Sequence, residues 1–153
     1  MSQTDSAEIR GVLLPVQDAQ LLLPNATVNE VVGFQQPTSI ENSSADWLLG
    51  TVEWRQQTVP VVAYELLLGL PVAESNHRAR IAICNTLNGN ADCPYIGIRL
   101  SSIPHLARID QHTISPVDGE DADMVLRQVD VSGQVAWIPD LDALEQAVVQ
   151  EQG

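Results

Sequence analysis

The chain has 153 residues, of which 44% are hydrophobic, as expected for one folded domain or two small barrels that share a core. Twenty acidic against seven basic residues give a net charge of −13, which disfavours nucleic acid and anionic membrane surfaces as partners. No apolar run approaches the roughly 20 residues that span a bilayer, and the N-terminus lacks the features of a signal peptide. We therefore expect a cytoplasmic protein without direct membrane insertion.

The first predicted elements are a hairpin and a later pair of strands. Two apolar runs, Ile9 to Pro15 and Ala19 to Leu23, flank a short polar turn and predict the hairpin. Thr51 to Arg55 alternates between polar and apolar residues, which is the period of a half-buried strand. A second strand is predicted from Thr58 to Tyr64. Because proline cannot donate to a sheet ladder, Pro60 predicts that this strand lies at an edge or carries a bulge.

The middle of the chain separates two sets of strands. Glu65 to Leu68, followed by Gly69, predicts one helical turn with a glycine cap. The segment from Pro71 to Arg78 has no apolar period and is interpreted as the crossing between two halves. Arg80 to Cys84 and Tyr95 to Leu100 then alternate again, and each predicts a strand with one apolar face.

The C-terminal part predicts another hairpin and a helix. Met124 to Val131 and Gln134 to Ile138 form the hairpin strands, and Gly133 supplies the positive φ of a tight turn. Asp140 is a natural N-cap for an amphipathic helix over 140–150. The apolar face of this helix has three residues: Leu141, Leu144 and Val148. Many short strands with one-sided patterns and little helix predict an all-β sandwich or barrel.

Motifs for catalysis or metal binding are weak. The sequence has no G-x-S-x-G motif and no glycine-rich phosphate loop, so we expect no enzyme, cofactor or metal site. The alternative from another class is a small enzyme or metal protein that uses Cys84 and Cys93 with His105 or His112. In a reducing cytosol both cysteines are expected to be thiols. The acidic segment Ser115 to Asp123 is interpreted as a solvated turn, because its glycine and glutamate are misplaced for a calcium loop.

The stretch from Trp47 to Gly69 has the most specific pattern in the chain. It contains Gly50, a strand that ends in Arg55, a tight turn, an apolar strand with a proline, and a short helix ending in Leu68-Gly69. This stretch resembles the signature of CheW-like domains, the adaptors of bacterial chemosensory arrays. The upstream run Val28-Asn29-Glu30-Val31-Val32 is similar to the V-x-E-V/I turn that follows the second strand in that family.

The resemblance implies a fold. Members of the family consist of two adjacent SH3-like five-stranded β-barrels with short helices. It implies a single domain over 8–150, with approximate sub-barrels at 15–75 and 76–139. The N-terminal strand, 8–14, is shared into the second barrel in some members. The C-terminal helix is expected over 140–150.

The resemblance also implies a function without catalysis. Family members link the cytoplasmic tip of a methyl-accepting chemotaxis receptor to a CheA-type histidine kinase, by mimicking the kinase's own regulatory domain. The receptor tip lies along the groove between the barrels, so the protein is expected at membrane receptor arrays through protein contacts. By motif position, Val28, Glu30, Gly50 and Arg55 are the expected partner-contact residues. Arg55 is expected to be a bidentate donor to Glu30 or to a carboxylate of the partner.

Three positions inside the signature depart from the family pattern. Gln56 replaces the usual glycine after the arginine, and Ala63 and Tyr64 replace the usual aspartate and leucine. Two hypotheses follow: an ordinary adaptor between receptor and kinase, or an accessory CheW-like scaffold that recruits another protein. The sequence Leu-Leu-Gly-x-Val-Glu-Trp-Arg resembles the corresponding segment in adaptors of type IV pilus systems, which control twitching motility.

Overall fold

The computed structural model describes residues 9–16, 19–40, 45–68, 78–86, 94–109, 114–116, 125–131 and 133–152. Several predicted features lie outside the described residues: Gly69, residues 71–77 of the crossing segment, Cys93, His112 and residues 117–123 of the acidic turn.

Within the described ranges the chain forms eleven strands and two α-helices. The strands are β1 (Ile9–Val16), β2 (Ala19–Pro24), β3 (Val28–Gly33), β4 (Leu48–Trp54), β5 (Gln57–Val62), β6 (Arg80–Asn85), β7 (Tyr95–Leu100), β8 (His105–Ile109), β9 (Ile114–Pro116), β10 (Val125–Val131) and β11 (Gln134–Pro139). The helices are α1 (Tyr64–Leu67) and α2 (Leu141–Gln152), and a 3₁₀ turn covers Asn25–Thr27. The prediction of an all-β protein with a C-terminal helix is confirmed.

The strands form two sheets. Sheet I has five strands in the order β3-β6-β7-β5-β4, and sheet II has six in the order β8-β1-β2-β11-β10-β9. Most neighbours are antiparallel, whereas β5 with β7 and β2 with β11 are parallel. Sheet II has one strand more than the predicted five because the short β9 adds to the edge of β10.

The two sheets divide the chain differently from the predicted sub-barrels at 15–75 and 76–139. The β1–β2 hairpin pairs with β8 on one side and β11 on the other, so both N-terminal strands belong to sheet II. Conversely, β6 and β7 pair with β3 and β5, which places residues 80–100 in sheet I. Sheet I is therefore the continuous middle of the chain, and sheet II joins its two ends.

Two local predictions were wrong. The run Val28 to Val32 was expected to be a turn, but it forms β3 and pairs with β6, because its residues alternate between half-buried and exposed. The strand around Pro60 was expected at an edge or with a bulge there. Instead β5 lies between β7 and β4, and the β4–β5 irregularity falls between Leu48 and Gly50. Pro60 is accommodated because the pairing with β7 begins at Val61.

The largest core cluster joins the two sheets and α2. It contains Leu14 and Leu21 from sheet II, Val62 and Ile98 from sheet I, and Leu144 from the helix, all fully buried. One apolar face was expected for each of β6 and β7. Instead, both faces of these strands are buried over most of their length. Interior strands of a sheet that is covered on both faces read as continuous burial rather than alternation.

The start of α2 agrees with its predicted cap. The Asp140 side chain accepts a hydrogen bond from the Ala143 backbone N–H at 3.1 Å, as an N-cap does. Tyr64 from α1 is fully buried in the same core cluster. Burial raises the pKa of the Tyr64 hydroxyl well above its ordinary value, whereas a hydrogen bond with the Asp140 backbone lowers it. Tyr64 thus connects α1 to Asp140, the N-cap of the C-terminal helix.

Candidate functional site

The β4–β5 hairpin forms one side of the candidate site. Its two-residue turn consists of Arg55 and Gln56, with φ values of 48° and 66°. Positive φ at both central residues is what a type I′ hairpin turn requires, and glycine or asparagine usually supplies it. Gln56, which departs from the family pattern, therefore adopts a left-handed conformation. This conformation is unfavourable in free energy for any residue other than glycine.

Glu30 on β3 forms the other side. Arg55 Nη2 lies 2.8 Å from Glu30 Oε1, an ion pair that joins the two edge strands of sheet I. The Arg55 side chain is 64% exposed and that of Glu30 is 39% exposed. The structure thus brings together two of the four predicted contact residues on an open surface.

Trp54 supports this ion pair from beneath. Its indole Nε1–H donates to Glu30 Oε1 at 3.1 Å, so the same carboxylate oxygen accepts from both Trp54 and Arg55. The Arg55 guanidinium also lies over the Trp54 ring, 4.8 Å from its centroid, in a cation–π contact. The Tyr95 ring packs edge-to-face against the Trp54 ring, with the ring centroids 4.9 Å apart.

Trp54 is a site residue that the sequence pattern did not predict. The alternation of β4 correctly indicates that Trp54 points into the core, and it is 8% exposed. The available signal was its position next to Arg55, combined with the rule that a buried indole N–H needs an acceptor. Glu30 is that acceptor, brought from a distant strand.

The other two predicted residues, Gly50 and Val28, have different surroundings from Glu30 and Arg55. Gly50 is buried at φ 141°, and a Cβ there would overlap the Thr38 carbonyl oxygen. Thr38 and Thr51 exchange two backbone hydrogen bonds of 2.8 Å at this point. A glycine is needed here because of that close backbone approach. Val28 lies at the start of β3 and packs against the core that joins the sheets.

A second arginine–glutamate pair is buried between β7 of sheet I and α1. Arg99 Nη1 on β7 lies 3.9 Å from Glu65 Oε1 on α1, and their side chains are 4% and 1% exposed. The Arg99 guanidinium also lies 5.5 Å from the centroid of the Phe34 ring. The sequence gives no signal for this pair, because Arg99 occupies an ordinary polar position in the β7 alternation. Its burial follows from the central place of β7 in the sheet.

Cys84 does not have the properties of a catalytic nucleophile. It is fully buried within β6, and burial raises the pKa of its thiol to about 12. The thiolate is the reactive form, so Cys84 is protonated and inert at neutral pH. Among the residues that the structure describes, no three His, Cys, Asp or Glu side chains cluster as metal ligands would. His105, the other described member of that alternative, is exposed on β8.

No helix in the described part of the chain is both long and apolar enough to cross a membrane. The candidate site presents a cation on the β4–β5 turn beside a partly exposed anion on β3, an arrangement suited to protein recognition.

Comparison with known proteins agrees with this architecture. No curated protein matches the chain at a significant level. Among solved structures, the chain is similar to the scaffolding protein TtCheW from Thermoanaerobacter tengcongensis, with 18% identity and a TM-score of 0.74, over 92% of this chain and 90% of that one. The two sheets therefore correspond to the two-barrel CheW fold. The model of the CheW-like domain matches residues 10–148. The chain belongs to the CheW-like domain family.

Proposed function

We infer that this protein is a non-enzymatic adaptor that couples a chemoreceptor to a CheA-type histidine kinase. The observation that carries the proposal is the exposed Glu30–Arg55 pair, held in place by Trp54 beneath the turn. Its expected partners are the regulatory domain of the kinase and the cytoplasmic tip of a methyl-accepting chemotaxis receptor. It would work in the cytoplasm, at receptor arrays. The β4 sequence resembles that of adaptors from type IV pilus systems, and we therefore propose that the protein controls twitching motility.

The physical basis is the preorganisation of two charges. An exposed arginine normally loses side-chain entropy when it binds a partner, which weakens the contact. Here the Trp54 ring and Glu30 already restrict the guanidinium of Arg55. Its remaining donors can therefore bind a partner carboxylate at lower entropic cost.

The test is calorimetry with two isolated ligands, the kinase regulatory domain and a receptor tip fragment. Arg55→Ala should weaken binding to at least one of them about tenfold, and Arg55→Glu should weaken it further. Glu53→Ala is the matched control. Glu53 is an exposed carboxylate on β4, two residues earlier, and it accepts a hydrogen bond from Thr58 rather than from Arg55. Absence of binding to both ligands by the wild-type protein would exclude the proposal.

A second candidate function keeps the fold and changes the partner. Ala63 and Tyr64 are both fully buried, so the family's usual aspartate is replaced by a side chain that presents no charge. An accessory scaffold that recruits another protein is consistent with that loss. Replacement of an ordinary adaptor in a reconstituted kinase assay separates the two functions: kinase activation supports the adaptor, and receptor or kinase binding without activation supports the scaffold.

A further inference from the structure

Asn29 lies between two of the predicted partner-contact residues, Val28 and Glu30, at the unspecified position of the V-x-E-V/I pattern. The pairing of β3 with β6 shifts register between Val28 and Glu30, which makes Asn29 the extra residue of a β-bulge. A bulge re-aims the side chain that it carries. Here the exposed Asn29 side chain reaches β6, where its Nδ2 donates to Asn85 Oδ1 at 3.1 Å.

The two asparagines are continuous with the ion pair of the candidate site. Asn85 is the register partner of Tyr95 in the pairing of β6 with β7. The Tyr95 ring packs against the Trp54 ring, and the Trp54 indole donates to Glu30. Because Glu30 directly follows Asn29 in β3, these five residues form a closed ring of neighbours drawn from β3, β4, β6 and β7. The asparagine pair thus adjoins the ion pair at the same end of sheet I.

The two asparagines keep hydrogen-bonding groups that a partner can use. A carboxamide has two N–H donors and an oxygen that accepts twice. The bond between Asn29 and Asn85 uses one donor and one acceptor site, and it lies at an exposed position. The remaining groups both donate and accept, which matches a main-chain peptide group. The guanidinium of Arg55 only donates, and it matches a carboxylate.

We propose that Asn29 and Asn85 bind the main chain of the same partner segment whose carboxylate contacts Arg55. The segment is an exposed loop of a protein partner that carries an aspartate or a glutamate. Its acidic side chain reaches the guanidinium, and a neighbouring peptide group lies against the two carboxamides. Because every residue has a peptide group, the asparagines fix the position of the loop while Arg55 selects its acidic residue. The inference rests on the proposed function, since it extends the contact surface of that site.

The first test is calorimetry with whichever ligand, the kinase regulatory domain or the receptor tip fragment, loses affinity in Arg55→Ala. Asn29→Ala and Asn85→Ala should each weaken its binding about fivefold, as expected for the loss of one neutral hydrogen bond. Asn85→Asp keeps the oxygen that accepts from Asn29 but loses the amide donors. It should weaken binding at least as much, at high salt as well as at low salt. Gln146→Ala is the matched control, because Gln146 is an exposed carboxamide on α2, and it should bind as the wild type does.

A double variant separates direct contact from support of the ion pair. In an Arg55→Ala background, Asn85→Ala should lower the affinity about fivefold again, because separate contacts with a partner add. A role confined to holding Glu30 and Arg55 in place predicts no further loss. Thermal unfolding of every variant checks that it is folded.

Three results would overturn the proposal. They are wild-type affinity in both Asn85→Ala and Asn85→Asp, no further loss in the double variant, and an equal loss in the Gln146→Ala control. In each of these cases the weaker binding of Arg55→Ala would still support the adaptor function. Binding of neither ligand by the wild-type protein would instead overturn both.

Discussion

The two arginine–glutamate pairs, one between the β4–β5 turn and β3 and one between β7 and α1, differ in both distance and burial. Glu30–Arg55 is 2.8 Å long and open to solvent, whereas Glu65–Arg99 is 3.9 Å long and almost fully buried. Exposed pairs contribute about 0–1 kcal/mol to stability, because water and salt screen them. Breaking a buried pair costs much more, because it leaves an uncompensated charge. Removal of one member of the buried pair is therefore expected to destabilise the fold, whereas the exposed pair remains available to a partner.

The largest effect is expected at the buried pair. Arg99→Met should lower the free energy of unfolding by about 3–5 kcal/mol, because the Glu65 carboxylate stays buried without its cation. The double variant Arg99→Met/Glu65→Gln should be more stable than Arg99→Met, since it also removes the negative charge of the buried Glu65 carboxylate. Urea denaturation of the two variants measures the difference. A loss below about 1 kcal/mol for Arg99→Met would remove the contrast between the pairs.

The next effect is expected at Gly50 on β4, where the backbone of Thr38 approaches closely. Gly50→Ala should lower the free energy of unfolding by about 3 kcal/mol, because its Cβ would overlap the Thr38 carbonyl at positive φ. Gly33→Ala is the control, since a Cβ there meets nothing within 4 Å. Equal stability of the two variants would show that Thr38 does not constrain Gly50.

A smaller effect of opposite sign is expected at the turn. Gln56→Gly should raise the free energy of unfolding by about 0.5–1 kcal/mol, because glycine relieves the strain at φ 66° but has more freedom in the unfolded chain. The neighbouring change Gln57→Gly, at the first residue of β5, should instead destabilise the protein. Chemical denaturation compares them, and a destabilised Gln56→Gly variant would contradict the turn assignment.

The smallest effect on stability is expected at Arg55 itself. Arg55→Ala should change the free energy of unfolding by less than about 1 kcal/mol while it weakens partner binding. Trp54→Phe keeps a ring beneath the guanidinium but removes the indole N–H, so it should weaken binding less than Arg55→Ala does. Calorimetry and denaturation on the same samples separate these effects. A large stability loss in Arg55→Ala would assign the pair a structural role.

Sequence patterns predicted local elements well wherever one short segment contained the whole signal. The β1–β2 and β10–β11 hairpins, the cap at Asp140 and the buried positions of β4 needed only alternation, turn residues and capping rules. Arg55 was expected to pair with Glu30 or with a carboxylate of a partner, and the structure places its guanidinium 2.8 Å from Glu30.

Features that depend on strand order could not be predicted in the same way. Pro60 reads as an edge signal, yet β5 is interior, because the parallel pairing with β7 begins one residue later. Arg99 reads as a solvent-facing residue, yet it is buried because β7 is central in sheet I. Trp54 reads as core, and its hydrogen bond to Glu30 becomes visible only when β3 and β4 are placed in one sheet.

The central claim is that the Glu30–Arg55 pair faces a partner rather than acting as an internal clasp. The charge swap Glu30→Arg/Arg55→Glu tests it, because the swap can restore the internal ion pair while reversing both charges that a partner meets. Calorimetry with the kinase regulatory domain and the receptor tip fragment, together with denaturation, gives both quantities. We expect a stability within about 1 kcal/mol of wild type and binding weakened at least as much as in Arg55→Ala. Wild-type affinity for both ligands in the swapped protein would contradict the account.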